Sequence, residues 1–272
     1  MSRLRWFSRR SLAFVLVAAA ACRPSEPPQA PVEAPTPAVE PAVEPAAEPE
    51  PEPAPVDPMV AILADAKVIE EGEVAKDLIA IAPGNKALKW RKDGPKKDRP
   101  QVLMVTWTDW SGYGEEVGKS MTLAREVWLT TAPEVQDFCR GLGSEGEALQ
   151  TRLEQYLGIP PGKGKTHFVE MWVRPRDLLR PCADPEITDS VCTTTDQPAA
   201  LKLGSHDHQA WYEALRAKSY ESGGYPWTRL GYTYDWGAES ERGPSEFLIP
   251  AGMEVVVVAF TPTAEYCKAA AN

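Results

Sequence analysis

The residues with which this chain could do chemistry are carboxylates set among aromatic rings: Asp109, Glu115, Glu116, Glu170, Asp235 and Glu246. Two carboxyls about 5 to 9 Å apart across a cleft would serve a glycoside hydrolase. Flat aromatic faces beside Asp, Glu and Arg suit non-covalent recognition of glycans or peptides instead. The densest such stretch is 223–237, with five aromatic residues, one Arg and one Asp in fifteen positions. Read as a turn followed by a strand, it places Leu230, Tyr232, Tyr234 and Trp236 on one face and Arg229, Gly231, Thr233 and Asp235 on the other. The aromatic face is expected to be core. The Arg229 side is expected to carry whatever site exists, with room for a partner at Gly231. Glu170, between Phe168 and Trp172 on a second strand face, must meet a cation or a cleft, and Arg229 is a candidate partner. The candidate ligand site is therefore Arg229, Asp235, Glu170 and Trp236.

Other motifs carry less. His206-Asp207-His208 suggests a metal, but with Ser205 as N-cap both histidines fall in a first helical turn about 200° apart, so one ion cannot take both. Residues 162–166, Gly-Lys-Gly-Lys-Thr, lack the first Gly of a phosphate loop, which is Ile159 here, and a strand follows where a helix is required. Ser111 is not in a nucleophile elbow. No metal and no cofactor are expected. Four cysteines follow Cys22, namely Cys139, Cys182, Cys192 and Cys267. In an exported domain they read as two disulfides with three possible connectivities. Loop closure favours Cys182 with Cys192, which leaves Cys139 with Cys267.

These residues must be held by strands and a few helices. One or two short helices are expected over 61–81 and a brief strand at 87–90. Residues 101–110, apolar on both alternating faces at their start, predict a central strand. Another strand is expected at 125–130. Thr131 and Glu134 have capping-box spacing, with Pro133 in the first turn of a helix running to about 140. A second helix follows over 145–157 and ends at Gly158. Strands at 167–174, 245–250 and 254–261 complete the pattern, the last buried on both faces and joined to its predecessor by a hairpin at Ala251-Gly252. Some seven strands and three or four helices without a regular β-α-β rhythm predict an α+β domain, its sheet mixed or antiparallel.

The N-terminus reads as an address. Four Arg and an apolar run too short to span a bilayer make residues 1–21 a signal peptide. Ser8-Arg9-Arg10-Ser11-Leu12-Ala13-Phe14 resembles a twin-arginine export signature, with ordinary Sec export the alternative. Twin-arginine export would need the disulfides to close after transport, hence to be accessible or dispensable for folding. Ala19-Ala20-Ala21-Cys22 resembles the lipobox of bacterial lipoproteins, which implies lipidation of Cys22, although Ala19 stands where Leu is usual. Residues 22–58 repeat Pro, Glu, Ala and Val, and without large apolar side chains they form a disordered tether. In polyproline II geometry it reaches on the order of 100 Å. Residues 59–272 remain for one globular domain. Net charge divides as +4, −7 and −7 over 1–21, 22–58 and the rest. The mature chain lacks the clustered cations that nucleic acid requires.

Residues 165–173 and 225–237 together resemble a group of uncharacterised bacterial proteins, over roughly 101–267. The resemblance implies a coherent domain and no particular activity. The sequence thus predicts a lipid-anchored protein of the bacterial cell envelope, facing the periplasm or exterior, that acts as a binding or scaffold module. Its partners would be the membrane, through Cys22, and cell-wall glycan or an envelope protein. The alternative is a carboxylate-dependent hydrolase acting on envelope glycan. A periplasmic chaperone has no feature that separates it from the first.

Overall fold

The computed structural model describes residues 57–94 and 100–268, all within one compact unit, Ala54–Asn272. The signal peptide, Cys22 and nearly all of the tether lie outside the described residues. The chain runs α1 (Pro58–Ala66), β1 (Trp90–Arg91), β2 (Gln101–Thr108), β3 (Ser120–Thr122), β4 (Val127–Thr131), α2 (Ala132–Leu142), α3 (Gly146–Tyr156) and β5 (His167–Val173). It continues β6 (Lys202–Leu203), β7 (His206–Asp207), α4 (His208–Lys218), β8 (Tyr232–Tyr234), β9 (Arg242–Ile249), β10 (Glu254–Pro262) and α5 (Thr263–Tyr266). The domain is α+β, and its large sheet is antiparallel throughout, in the order β3-β10-β5-β2-β4-β9-β8, with β1 on β2. None of the described helices is long and apolar enough to cross a membrane.

β2 is the central strand its two-sided apolar pattern predicts, buried along almost its whole length. Met104, Leu129, Met171, Phe247 and Val257 form the core on one face of the sheet. On the other face Leu103, Val105 and Phe168 pack under α2 and α3, with Val135, Leu149 and Leu153 contributed by those helices. Ala251-Gly252 does form a turn, with Gly252 at φ +83°, yet it joins no hairpin, because β9 and β10 pair with different neighbours. Three strands stand between them in the sheet order. Four strand steps across a flat sheet span about 19 Å, which a link containing a turn cannot cover. The sheet must therefore curl, and its inner face encloses the first core. β10 is buried on one side only, against the expectation of two, and a bulge between Val257 and Ala259 breaks its alternation.

α2 begins where expected, with Thr131 as N-cap and Pro133 in the first turn. The capping box does not close, however. The Thr131 hydroxyl donates to the Glu134 carboxylate at 3.1 Å, and that carboxylate also accepts from the Ser245 amide at 3.4 Å, tying α2 to β9. The disulfides are Cys139–Cys267 and Cys182–Cys192. All four bonded cysteines are buried, so neither bond is accessible in the folded domain.

Candidate functional site

The stretch around Gly231 is not one strand with two faces. Its strand is only Tyr232–Tyr234, and before it the chain folds back in a tight turn. Trp227 bridges Thr233, the Thr228 hydroxyl donates to the Tyr232 carbonyl at 2.6 Å, and Arg229 takes a left-handed φ of +61°. Tyr232 and Tyr234 are core, as expected, but so is the other side. Arg229 is buried, donates from Nη2 to the Lys67 carbonyl at 2.6 Å and lies over the Tyr220 ring at 5.6 Å. It fastens the turn to the residue that follows α1 and has no open surface. The room at Gly231 is already taken, since a Cβ there would meet Cδ of Arg180 at 2.7 Å.

The remaining candidates are dispersed. Asp235 is buried and held by Arg152 of α3 in a two-point ion pair, each contact 2.7 Å. Trp236 is half-buried and donates to the Ile159 carbonyl at 3.3 Å. Glu170, on β5, feels the charges of Lys89 and Arg140 rather than Arg229, and burial raises its carboxyl above the usual range. The proposed Glu170–Arg229 pair is therefore corrected: alternation reports the face of a strand, not the partner across the fold. The histidine motif is corrected too. His206 belongs to the β6–β7 hairpin and Asp207, not Ser205, caps α4 by accepting from the Ala210 amide. The rings lie 5.8 Å apart beside Trp211 instead of facing opposite ways, and buried His208 contacts the Cys182 carbonyl at 2.8 Å. One carboxylate group of three is brought together among the described residues, Asp65, Glu73 and Glu241, with oxygens within 4.8 Å. It receives the Tyr234 hydroxyl, which donates to Asp65 at 2.7 Å.

The open feature of the domain lies elsewhere, where the sheet parts. Among the described residues β2 and β4 are paired at Met104↔Thr131 and Val105↔Thr130, and then the ladder stops. β2 runs on beside β5 as far as Thr108↔His167, while β4 stays beside β9 from Val127↔Ile249. Continued register would have set Trp107 opposite Trp128. Their indoles are instead held by different elements. Trp107 stacks on Phe168 at 5.7 Å and donates to the Thr263 hydroxyl at 2.9 Å. Trp128 packs against Trp211 and Trp227 at 5.9 and 6.5 Å. A cavity of about 1060 Å³ fills the parting. Because the Thr108 carbonyl accepts from Thr166 on the β5 side, the main-chain polar groups of Trp107 point the other way, into the gap.

The rim is aromatic and charged. Trp110 and Tyr225 are 52% and 47% exposed, the first edge-on to Tyr113 at 4.7 Å and the second beneath the Lys163 ammonium at 5.5 Å. Asp109 is ion-paired with Lys165 at 2.6 Å, which holds its carboxyl below the ordinary range. The Glu126 carboxylate accepts from the Trp211 indole at 2.9 Å. On the floor stands Glu246 of β9, half-buried and cross-strand from Thr130 of β4. Its carboxyl has no hydrogen-bond or ion-pair partner among the described residues, and burial alone pushes it up to about 8.

That gives a stability prediction. Between pH 4.5 and about 8 the folded protein keeps a proton on Glu246 that the unfolded chain has released, so stability falls as pH rises through this window. Glu134, raised to about 7 by burial, acts in the same direction. Glu246→Gln is expected to raise Tm by roughly 2–6 °C near pH 8 and to change it little near pH 5. Thermal unfolding at both pH values checks it, and equal shifts at both would contradict it.

Of the sequence-derived carboxylates, Asp109 and Glu246 border the cleft, whereas Arg229, Asp235, Glu170 and Trp236 do not. A Glu set directly before the apolar Phe247-Leu248-Ile249 is a visible signal. The exposure of Trp110 and Tyr225 was not, because nothing local separates an exposed ring from a buried one. No protein-family model, no curated protein and no solved structure matches this chain, so the cleft has to be interpreted from its own geometry.

Proposed function

We propose that this chain is a lipid-anchored binding module of a bacterial cell envelope, held at Cys22 and carried on the tether, with its ligand in the cleft between β2 and β4. One observation carries this reading: a central sheet parted into an aromatic-lined cavity of about 1060 Å³, with Trp110 and Tyr225 exposed at its rim. Cavities of this size take a short glycan or peptide segment, and exposed rings offer it flat apolar faces. Two disulfides accord with life outside the cytoplasm.

The hydrolase reading keeps one point in its favour, since Asp109 and Glu246 both border the cleft. Register argues against a catalytic pair. Asp109, one residue past β2, lies four residues along the chain from Val105, and Glu246 two strands across from it, so strand geometry sets their Cα atoms roughly 16 Å apart. Asp109 is also already neutralised by Lys165. Binding is the better account.

The test is titration of the purified full-length protein with fractionated envelope glycans and peptides, followed by tryptophan fluorescence. Wild type is expected to respond to one fraction, and Trp110→Ala with Tyr225→Ala to bind it at least roughly tenfold more weakly, as loss of two stacking faces implies. Silence across all fractions would remove the proposal. Turnover of the bound fraction, abolished by Glu246→Gln, would replace it with the hydrolase.

A further inference from the structure

We infer that the cleft selects a ligand bearing an alkyl-ammonium group, which descends past the Trp128 indole and forms an ion pair with Glu246 on the floor. The inference rests on the cleft being the binding site and adds the chemistry it recognises.

The cleft carboxylates differ in what answers them. Asp109 has Lys165, and Glu126 has the Trp211 indole N–H. Glu221 is exposed to solvent. Glu246 alone among them lines the cavity half-buried and without a partner among the described residues. A partly desolvated carboxylate without a partner is costly, and a ligand cation offsets that cost on binding.

Its surroundings favour a cation over an anion. Register puts Trp128 diagonal to Glu246, two residues before Thr130 on the same sheet face, and Trp227 packs against Trp128. Indole faces attract cations and offer nothing to an anion. The protein's own cations do not satisfy the floor: Arg125 and Lys218 border the cleft, and Lys165 is taken by Asp109. Glu134, which accepts from the neighbouring Ser245 amide, is the further acid beside β9. None of these charges moves Glu246 from the position that burial gives it. An alkyl chain matches the half-buried apolar residues that line the cleft, Leu157, Ile159 and Leu215 among them.

Cation binding must drive a proton off Glu246 when pH lies below about 8. The carboxylate that forms stays paired with the ammonium, and the proton goes to buffer. The experiment is calorimetric titration of the full-length protein with diaminohexane, using hexanediol as the neutral probe of the same shape. Runs in two buffers of different ionisation heat report the protons released. Diaminohexane is expected to bind with release of about one proton near pH 7, its affinity rising roughly fiftyfold between about pH 6 and pH 8 before levelling off. Hexanediol is expected to bind at least roughly tenfold more weakly near pH 8. Glu246→Gln, shown to be folded by its Tm, is expected to lose both the proton release and the preference for the amine. Equal affinity for the two probes, or an unaltered pH profile in Glu246→Gln, overturns the inference. If neither probe binds while an envelope fraction still changes the tryptophan fluorescence, the ammonium selectivity is wrong and the binding cleft stands. If no fraction binds either, both readings fall.

Discussion

Replacing Cys139 and Cys267 together by Ser is expected to cost the domain about 5 kcal/mol. The bond closes a loop of 128 residues between α2 and the turn after α5. On the chain-entropy account its loss restores that much freedom to the unfolded state, against about 3 kcal/mol for a loop the size of Cys182–Cys192, whose separation is 10 residues. Packing adds to the difference. Cys139 and Cys267 are buried with Val135, Leu153 and Tyr266, and the Tyr266 hydroxyl donates to the Ala132 carbonyl at 3.1 Å, so α5 and the first turn of α2 come free together. Urea unfolding of the double variant against wild type checks the figure, with Tm expected to fall by roughly 10–20 °C. A loss below about 1 kcal/mol would mean that the enclosed loop is already restrained in the unfolded chain.

Arg180→Met is expected to destabilise by about 3–5 kcal/mol, although it exchanges a charge for an apolar side chain of similar reach. Arg180 is fully buried and donates from Nε to the Glu186 carbonyl at 3.2 Å, and from Nη2 to Ile79 and Asp189 carbonyls at 3.2 and 3.0 Å. Its guanidinium lies 5.2 Å from the Phe247 ring centre. Burial pulls its pKa below the ordinary value, and Asp189, Glu186 and Asp184 of the surrounding acidic loop act against that. Methionine would leave three carbonyls without their donor and the loop carboxylates without their central cation. Amide exchange separates this mechanism from a general loss of packing. Leu78 and Ile81 donate to the Ser190 and Ile187 carbonyls of the same loop at 3.0 and 2.7 Å. Their protection is expected to fall well before that of β2. If protection falls evenly over the whole sheet, the role assigned to Arg180 is wrong.

Arg180 also explains why the stretch 223–237 misleads when read alone. Its period-two pattern is real over Tyr232–Tyr234, and the aromatic side chains there do point into the core. A period reports only which side of a strand is covered, and both sides are covered here. Arg180, some fifty positions earlier, fills the space at Gly231, and Arg152 answers Asp235 from α3. The turn at Thr228–Leu230 depends on a left-handed Arg, a conformation that composition does not announce. The His206-Asp207-His208 expectation failed for a related reason. Ser205 and Asp207 are both good caps, and the β6–β7 hairpin decided between them.

What the sequence determined by itself is the local order. It placed the central strand by its two-sided apolar run, the helix boundaries by Thr131, Pro133 and Gly158, and the α+β class by the succession of elements. It also supplied an even set of four cysteines for the two disulfides. Those are properties of neighbours along the chain, where backbone sterics and periodicity act directly. The tertiary structure alone decided that β2 and β4 part after Val105↔Thr130, that Glu246 of β9 stands opposite Thr130 of β4 with no partner among the described residues, and that Trp110 and Tyr225 stay exposed. The physical reason is range. Strand pairing joins residues 25 and 116 positions apart in those two contacts, and it depends on how Trp107 and Trp128 find Phe168, Thr263, Trp211 and Trp227. No local pattern encodes that competition, and the cleft is its outcome.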